Sequence, residues 1–287
     1  MLRIRHILAP YDFSERCDAS APLVAEMARR FGARVTLLSV VPPVWQNSPS
    51  EPKAAAALFD PERLQVALDQ AWREPLDGLK VERIWQKGDP ASMITDFAHS
   101  KRVDLIMMPT HGFGPFRSLL LGSVTAKVLH DARCPVWTDA HTQEIQEPPP
   151  TADAAHAVLC AVDGTPKAVH LMKWAAEWAQ ATGTDLRFVH AVPSVTDLPF
   201  LKSERALQEE ARQDAEAVVE KQRKEAAVGA AMCVTNGDVA EVVRLEALRL
   251  GAELVLIGRG VLHGTLGRLR TNAYGIIRHS PCPVVSV

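Results

Sequence analysis

The sequence predicts two tandem doubly wound α/β domains, each a five-stranded parallel sheet flanked by helices. Three observations carry that prediction. Four blocks of the first half recur, in the same order, in the second. Short aliphatic runs alternate with longer amphipathic stretches in each half, as strands and crossover helices do. Runs such as Leu105-Ile-Met-Met108 and Leu254-Val-Leu-Ile257 are apolar throughout, which suits strands covered on both faces.

The repeat decides the domain count before any element is assigned. His6-Ile-Leu-Ala-Pro-Tyr-Asp12 matches Ala157-Val-Leu-Cys-Ala-Val-Asp163, an apolar run closed by an aspartate. Gly88-Asp89 matches Gly237-Asp238, Asp104-Leu-Ile-Met-Met108 matches Glu253-Leu-Val-Leu-Ile257, and Cys134-Pro-Val136 matches Cys282-Pro-Val284. The expected boundaries are a first domain over 1–140, a linker over 141–152 and a second domain over 153–287. The linker is polar and carries Pro148, Pro149 and Pro150, a composition that stiffens a connection.

In the first copy the patterns place strands near 4–10, 34–41, 80–87, 103–108 and 135–139, with helices near 16–31, 60–77, 90–100 and 122–131. In the second they place strands near 156–162, 185–192, 230–236, 253–258 and 283–287, with helices near 166–182, 201–227, 238–250 and 270–279.

Composition bounds the function. The chain has 287 residues, 47% hydrophobic and 23% charged, with a net charge of −2. It has no apolar run long enough to span a bilayer, and its charge gives no general attraction to nucleic acid or anionic lipid. The expectation is a cytoplasmic protein with no nucleic-acid and no membrane partner. Five cysteines, none in a CxxC pair, read as buried thiols rather than a disulfide framework or a metal site.

In a doubly wound sheet the ligand crevice lies beyond the carboxyl ends of the strands. Asp12 and Asp163 each close a first strand and so point there; as N-caps of the following helices they have an alternative use. Gly88-Asp89 and Gly237-Asp238 read as turn and cap residues. After the fourth strand of copy one, Gly112 and the pair Gly122-Ser123 precede a helix, an arrangement that suits a phosphate at a helix N-terminus. No GxxxxGK[ST] or GxGxxG string occurs, so neither a P-loop nor a standard dinucleotide fold is supported. No motif in the sequence pairs His111 with an acid or a nucleophile, and no catalytic residue is assigned.

Together the motifs Pro10-Tyr-Asp12, Gly88-Asp-Pro-Ala91, Thr110-His-Gly112, Leu121-Gly-Ser-Val124 and Cys134-Pro-Val136 resemble the universal stress protein family, in tandem form over nearly the whole chain. The resemblance implies Rossmann-like domains of the adenine nucleotide alpha hydrolase type and a stress-response role. It further implies binding of ATP or another adenine nucleotide, with Mg2+ as an accompanying ion, and at most slow hydrolysis. The implied pocket in copy one comprises Asp12, Val40, Met108, His111, Gly112, Gly122, Ser123, Val124 and Thr125. An intramolecular pseudo-dimer through the last strands, and further homodimerisation, are implied as well.

Both copies depart from the family's G-x2-G-x9-G-[ST] loop. Copy one has Pro109 at the first glycine, which fixes φ and offers no N–H. Copy two keeps Gly258 and Gly260 but is one residue shorter before Thr271, with Arg270 where the later glycine belongs. That arginine either fills the phosphate position or pairs with a phosphate. The expectation is nucleotide binding mainly in copy one, with Asp163, Gly258, Gly260 and Thr271 as a degenerate second site. The alternative is a nucleotide-free interaction or scaffold protein with both pockets disabled.

Overall fold

The structure is a computed structural model that describes residues 2–42, 61–111, 121–139, 156–193, 204–259 and 271–287. The chain divides into two compact units, one spanning Arg3–Asp139 and the other containing the residues from Ala140 to Val287. The expected linker lies outside the described residues.

The first unit runs β1 (His6–Pro10), α1 (Glu15–Phe31), β2 (Arg34–Val41), α2 (Pro61–Gln70), β3 (Val81–Lys87), α3 (Pro90–Ser100), β4 (Leu105–Met108), α4 (Ser123–Asp131) and β5 (Val136–Thr138). Its strands lie in the order β3-β2-β1-β4-β5, and each of these pairings is parallel. The second unit repeats the pattern with β6 (Ala157–Ala161), α5 (Ala168–Thr182), β7 (Asp185–Val192), α6 (Glu204–Ala226), β8 (Ala231–Asn236), α7 (Val239–Leu250), β9 (Ala252–Ile257), α8 (Thr271–His279) and β10 (Val284–Ser286). Its order is β8-β7-β6-β9-β10, again all parallel. Both are doubly wound sheets whose strand order reverses between the first and fourth strands, as the sequence predicts.

Full burial explains the uninterrupted apolar strands. Ile7, Leu8, Leu37, Leu105 and Ile106 form the centre of the first unit, and Leu159, Phe188, Val255 and Trp178 that of the second, all nearly inaccessible to solvent. Helix ends follow local chemistry. Ser14 caps α1 by accepting from the Cys17 N–H at 3.3 Å, and Gly32 ends it in the left-handed region at φ 63°. Asp89 and Asp238 cap α3 and α7, accepting from the Ser92 and Glu241 amides, the role their Gly-Asp context suggests.

The second helix of copy one is shorter than its periodicity predicts. It ends at Gln70 instead of continuing to 77: Trp72 turns into the left-handed region at φ 54°, and Pro75 has no N–H with which to extend the helix. Its buried indole sits edge-on to Tyr11, with ring centroids 5.4 Å apart, and donates Nε1–H to Asp18 Oδ1 at 3.1 Å. These contacts hold the turn that follows the helix.

Candidate functional site

The carboxyl ends of β1 and β4 bring the first-copy candidates to one end of the sheet. β1 leads into Tyr11, whose N–H donates to the Leu38 carbonyl at 2.9 Å, and then into Asp12, which is exposed. Asp12 does not cap α1, since Ser14 does. Instead Asp12 Oδ1 accepts the Ser14 N–H at 3.0 Å, which shapes the turn in which Phe13 takes φ 61°. Its carboxylate therefore orders the loop at the crevice. Val40 is half-buried near the end of β2, and Met108 is buried at the end of β4.

Beyond β4 the chain turns through Pro109, Thr110 and His111, and then meets the start of α4. Gly122 donates its N–H to the Thr110 carbonyl at 3.0 Å. A Cβ at Gly122 would lie 3.2 Å from that oxygen and 3.5 Å from His111 Cα, so a larger residue fits only where the Thr110 backbone gives way by a few tenths of an ångström. Thr125, buried, donates its hydroxyl to the Pro109 carbonyl at 3.2 Å. These two bonds seat the first turn of α4 against the end of β4. The Ala126 N–H is bonded to the Gly122 carbonyl at 2.8 Å, so the amides of Ser123, Val124 and Thr125 precede the helix ladder. That is the position from which helix amides meet anions. Ser123 is exposed and Val124 half-buried.

His111 is buried, with Nδ1 3.2 Å from Thr110 Oγ1. Gly112 lies outside the described residues. Lys127 on α4 pairs with Asp89 at 2.9 Å and with Ser92 Oγ at 3.0 Å, which fixes α4 to the cap of α3. Ser92 and Lys127 together draw the Asp89 carboxyl down to about 2.

The second copy repeats the strand-end geometry with different side chains. Val162 N–H donates to the Val189 carbonyl at 2.9 Å, as Tyr11 does to Leu38, so His190 occupies the place of Ser39. Asp163 Oδ1 accepts from both the N–H and the hydroxyl of Thr165, at 3.0 and 2.7 Å, and Gly164 takes φ 70° where Phe13 stands in copy one. Buried Gln222 of α6 reaches this loop, donating Nε2–H to the carbonyls of Gly164 and Thr165 at 2.8 and 3.0 Å. Gly258 is exposed just beyond β9, and Thr271 opens α8. Gly260 and Arg270 lie outside the described residues.

A cleft of about 360 Å³ opens at this end of the second unit, lined by Asp163, Thr165, Lys167, His190, Gly258 and Arg259 among others. The matching offset places Arg259 where copy one has Thr110. Lys167 and Arg259 belong to none of the motifs, so motif reading does not single them out. Register against the first copy was the signal that could have found Arg259.

A model of the universal stress protein family matches residues 3–138 and again 155–287. The chain belongs to the universal stress protein family. It is 28% identical over 200 residues to a universal stress protein of Mycolicibacterium smegmatis, an alignment covering 67% of this chain and 66% of that one. It is 30% identical over 136 residues to a universal stress protein of Thermus aquaticus, covering 45% of this chain and 94% of the relative. The crystal structure of a universal stress protein from Archaeoglobus fulgidus shares the fold, with a TM-score of 0.67 at 20% identity, covering 99% of this chain and 96% of that one.

The family places this chain among stress-response proteins. No described helix is long and apolar enough to cross a membrane. Burial pushes the thiols of Cys17, Cys160 and Cys282 up, that of Cys282 to about 12, so these three are packed thiols rather than reactive ones.

Proposed function

We propose that this universal stress protein binds ATP or a related adenine nucleotide in the crevice of the first copy, and acts in the cytoplasm through occupancy rather than rapid turnover. The observation that supports this most is the seat of α4. Gly122, lying 3.2 Å by its would-be Cβ from the Thr110 carbonyl, lets the first turn of the helix close on the end of β4. The amides of Ser123, Val124 and Thr125 and the Ser123 hydroxyl then form a cradle for phosphate oxygens. Asp12 offers a carboxylate to sugar hydroxyls, and Val40 and Met108 offer apolar flanks to the base.

No group of three or more His, Cys, Asp or Glu suited to a metal ion occurs among the described residues. In this reading Mg2+ accompanies the nucleotide's phosphates, as is usual for this ion, and offsets their charge. The proposed pocket contains no Walker lysine and no assigned base, which argues for slow hydrolysis at most.

The proposed domain limits remain 1–140 and 153–287, joined by the linker 141–152. Each copy ends its strand order on its own last strand, β5 or β10, and pairing of the copies through those strands as a pseudo-dimer would cover edges that otherwise invite aggregation.

The test is the nucleotide released when the purified protein is denatured. Adenine nucleotide in the supernatant of the wild-type protein, reduced in Gly122→Val, supports the reading. None in either, with no heat stabilisation by added ATP, favours the nucleotide-free scaffold, in which Pro109 and Arg270 disable both pockets.

A further inference from the structure

The outermost strands of the two units occupy equivalent places but differ in character. β3 and β8 each end their strand order and pair in parallel along one side, β3 with β2 and β8 with β7. The Gly-Asp turn that follows each strand sets the register between them. A Cβ built on its glycine would meet the same helix position in both copies, Met93 at 2.7 Å and Val242 at 2.9 Å. In that register Glu82, Arg83 and Lys87 of β3 correspond to Ala231, Met232 and Asn236 of β8. An open strand edge invites pairing, and charged residues are a common protection against it. β3 carries that protection, with Glu82 and Lys87 exposed; β8, with no charge and no proline, does not.

The outer side of β8 is regular. The Gly237 N–H donates to the Val192 carbonyl at 2.9 Å, so alternation along the strand turns the N–H and C=O of Met232, Val234 and Asn236 away from β7. The pairing with β7 runs without a break from Ala231 to Asn236, and no other strand pairs with β8 among the described residues. One flank of α7 continues this surface. Val242, Leu245 and Arg249 share a helix face by their spacing of three and four. Val242 lies against Gly237 at the end of β8. Burial, and then Glu246, raise the Cys233 thiol while Arg249 lowers it, which puts Arg249, paired with Glu246 at 2.6 Å, alongside the strand. Leu245 between them is 52% exposed, where copy one has the exposed Asp96. Strand and neighbouring helix have thus both exchanged charge for neutral or apolar side chains in copy two.

We propose that the β8 edge and the Leu245 flank of α7 form a self-association surface whose occupant is a second copy of this chain. Two β8 strands pair antiparallel about a two-fold axis perpendicular to the sheet, so the sheet of one second unit continues into that of its partner. A two-fold pair sets the same surface against itself, and a strand without charge meets itself with no like-charge repulsion. In the same arrangement both α7 helices lie on one face of the joined sheet, and each turns its Leu245 flank toward the junction, so the exposed leucine of one chain is answered by that of the other. This surface is separate from the last strands β5 and β10, and it does not depend on nucleotide binding in either copy.

Sedimentation velocity of the full chain over a concentration series reads the association directly. The wild type is expected to form a dimer that dissociates on dilution. Leu245→Asp, which installs the residue copy one carries at that place, should weaken the dimer at least about tenfold by setting an unpaired carboxylate in the junction, with unchanged circular dichroism. Val234→Pro removes an outward N–H while sparing the ladder to β7, and should weaken the dimer to a similar degree. Should that variant not fold, Met232→Arg, again the copy-one residue, takes its place. Val66→Asp, which adds a charge at an exposed apolar residue of the first unit, should leave the dimer unchanged. Three results overturn the proposal. One is a wild-type chain that stays monomeric at millimolar concentration, which would leave the edge to a strand of another protein. The second is a dimer that Leu245→Asp and the edge variant both leave intact, which would assign association to another surface. The third is equal weakening by Val66→Asp.

Discussion

Thr125 donates its side-chain hydroxyl to the carbonyl oxygen of Pro109 at 3.2 Å, with Thr125 almost fully buried. The bond joins the first turn of α4 to the residue that follows β4. It gives Pro109 a structural use at a place where the family loop has glycine. Replacing Thr125 by valine keeps the volume but leaves a buried carbonyl without this donor. The expected cost is about 1–3 kcal/mol of stability, from the unpaired acceptor, read by urea denaturation. Nucleotide affinity should fall with it, because the α4 amides lose their seat.

The Trp72 turn should matter to the first unit well beyond its position in a loop. Trp72→Ala removes a buried ring packed on Tyr11, and is expected to cost about 3–5 kcal/mol. Trp72→Phe keeps most of the packing and loses the Nε1–H bond to Asp18, for an expected cost of about 1 kcal/mol. Equilibrium denaturation of both variants checks the ordering.

His6 supplies a pH dependence with a definite sign. Its ring is buried, with Nε2 2.9 Å from Thr36 Oγ1 and Nδ1 3.1 Å from the Arg34 guanidinium. Burial first, and Arg34 second, lower its pKa from the ordinary value of 6.5. The unfolded chain therefore binds a proton that the folded chain resists. The contribution is fully present above about pH 6.5 and is lost as pH falls through that value toward the folded pKa. Stability curves of the wild type and His6→Gln between pH 8 and pH 5 should converge on the acid side. Parallel curves would contradict the assignment.

The architecture was legible because the repeat and the apolar strands are local signals. β2 and β7 fall on 34–41 and 185–192 as the patterns place them. The end of α2 was legible only in part: Pro75 marks a helix stop in the sequence, since it has no N–H to continue the ladder, but the left-handed turn already at Trp72 and its bond to Asp18, far away in sequence, show only in the structure. Asp12 was ambiguous for a related reason. An aspartate two residues before a serine can cap or shape a turn equally well, and only geometry shows that Ser14 is the cap. The second-copy cleft was harder still, since Lys167, His190 and Arg259 come from three separate segments and share no motif.

Calorimetric titration of ATP into the full chain, alongside Gly122→Val, tests the nucleotide reading most directly. The prediction is a saturable binding event in the wild-type protein that weakens at least about tenfold in Gly122→Val, where added carbon atoms force α4 away from Thr110, while circular dichroism stays the same. Absence of binding to the wild type at millimolar ATP, or equal affinity in the folded variant, would contradict it.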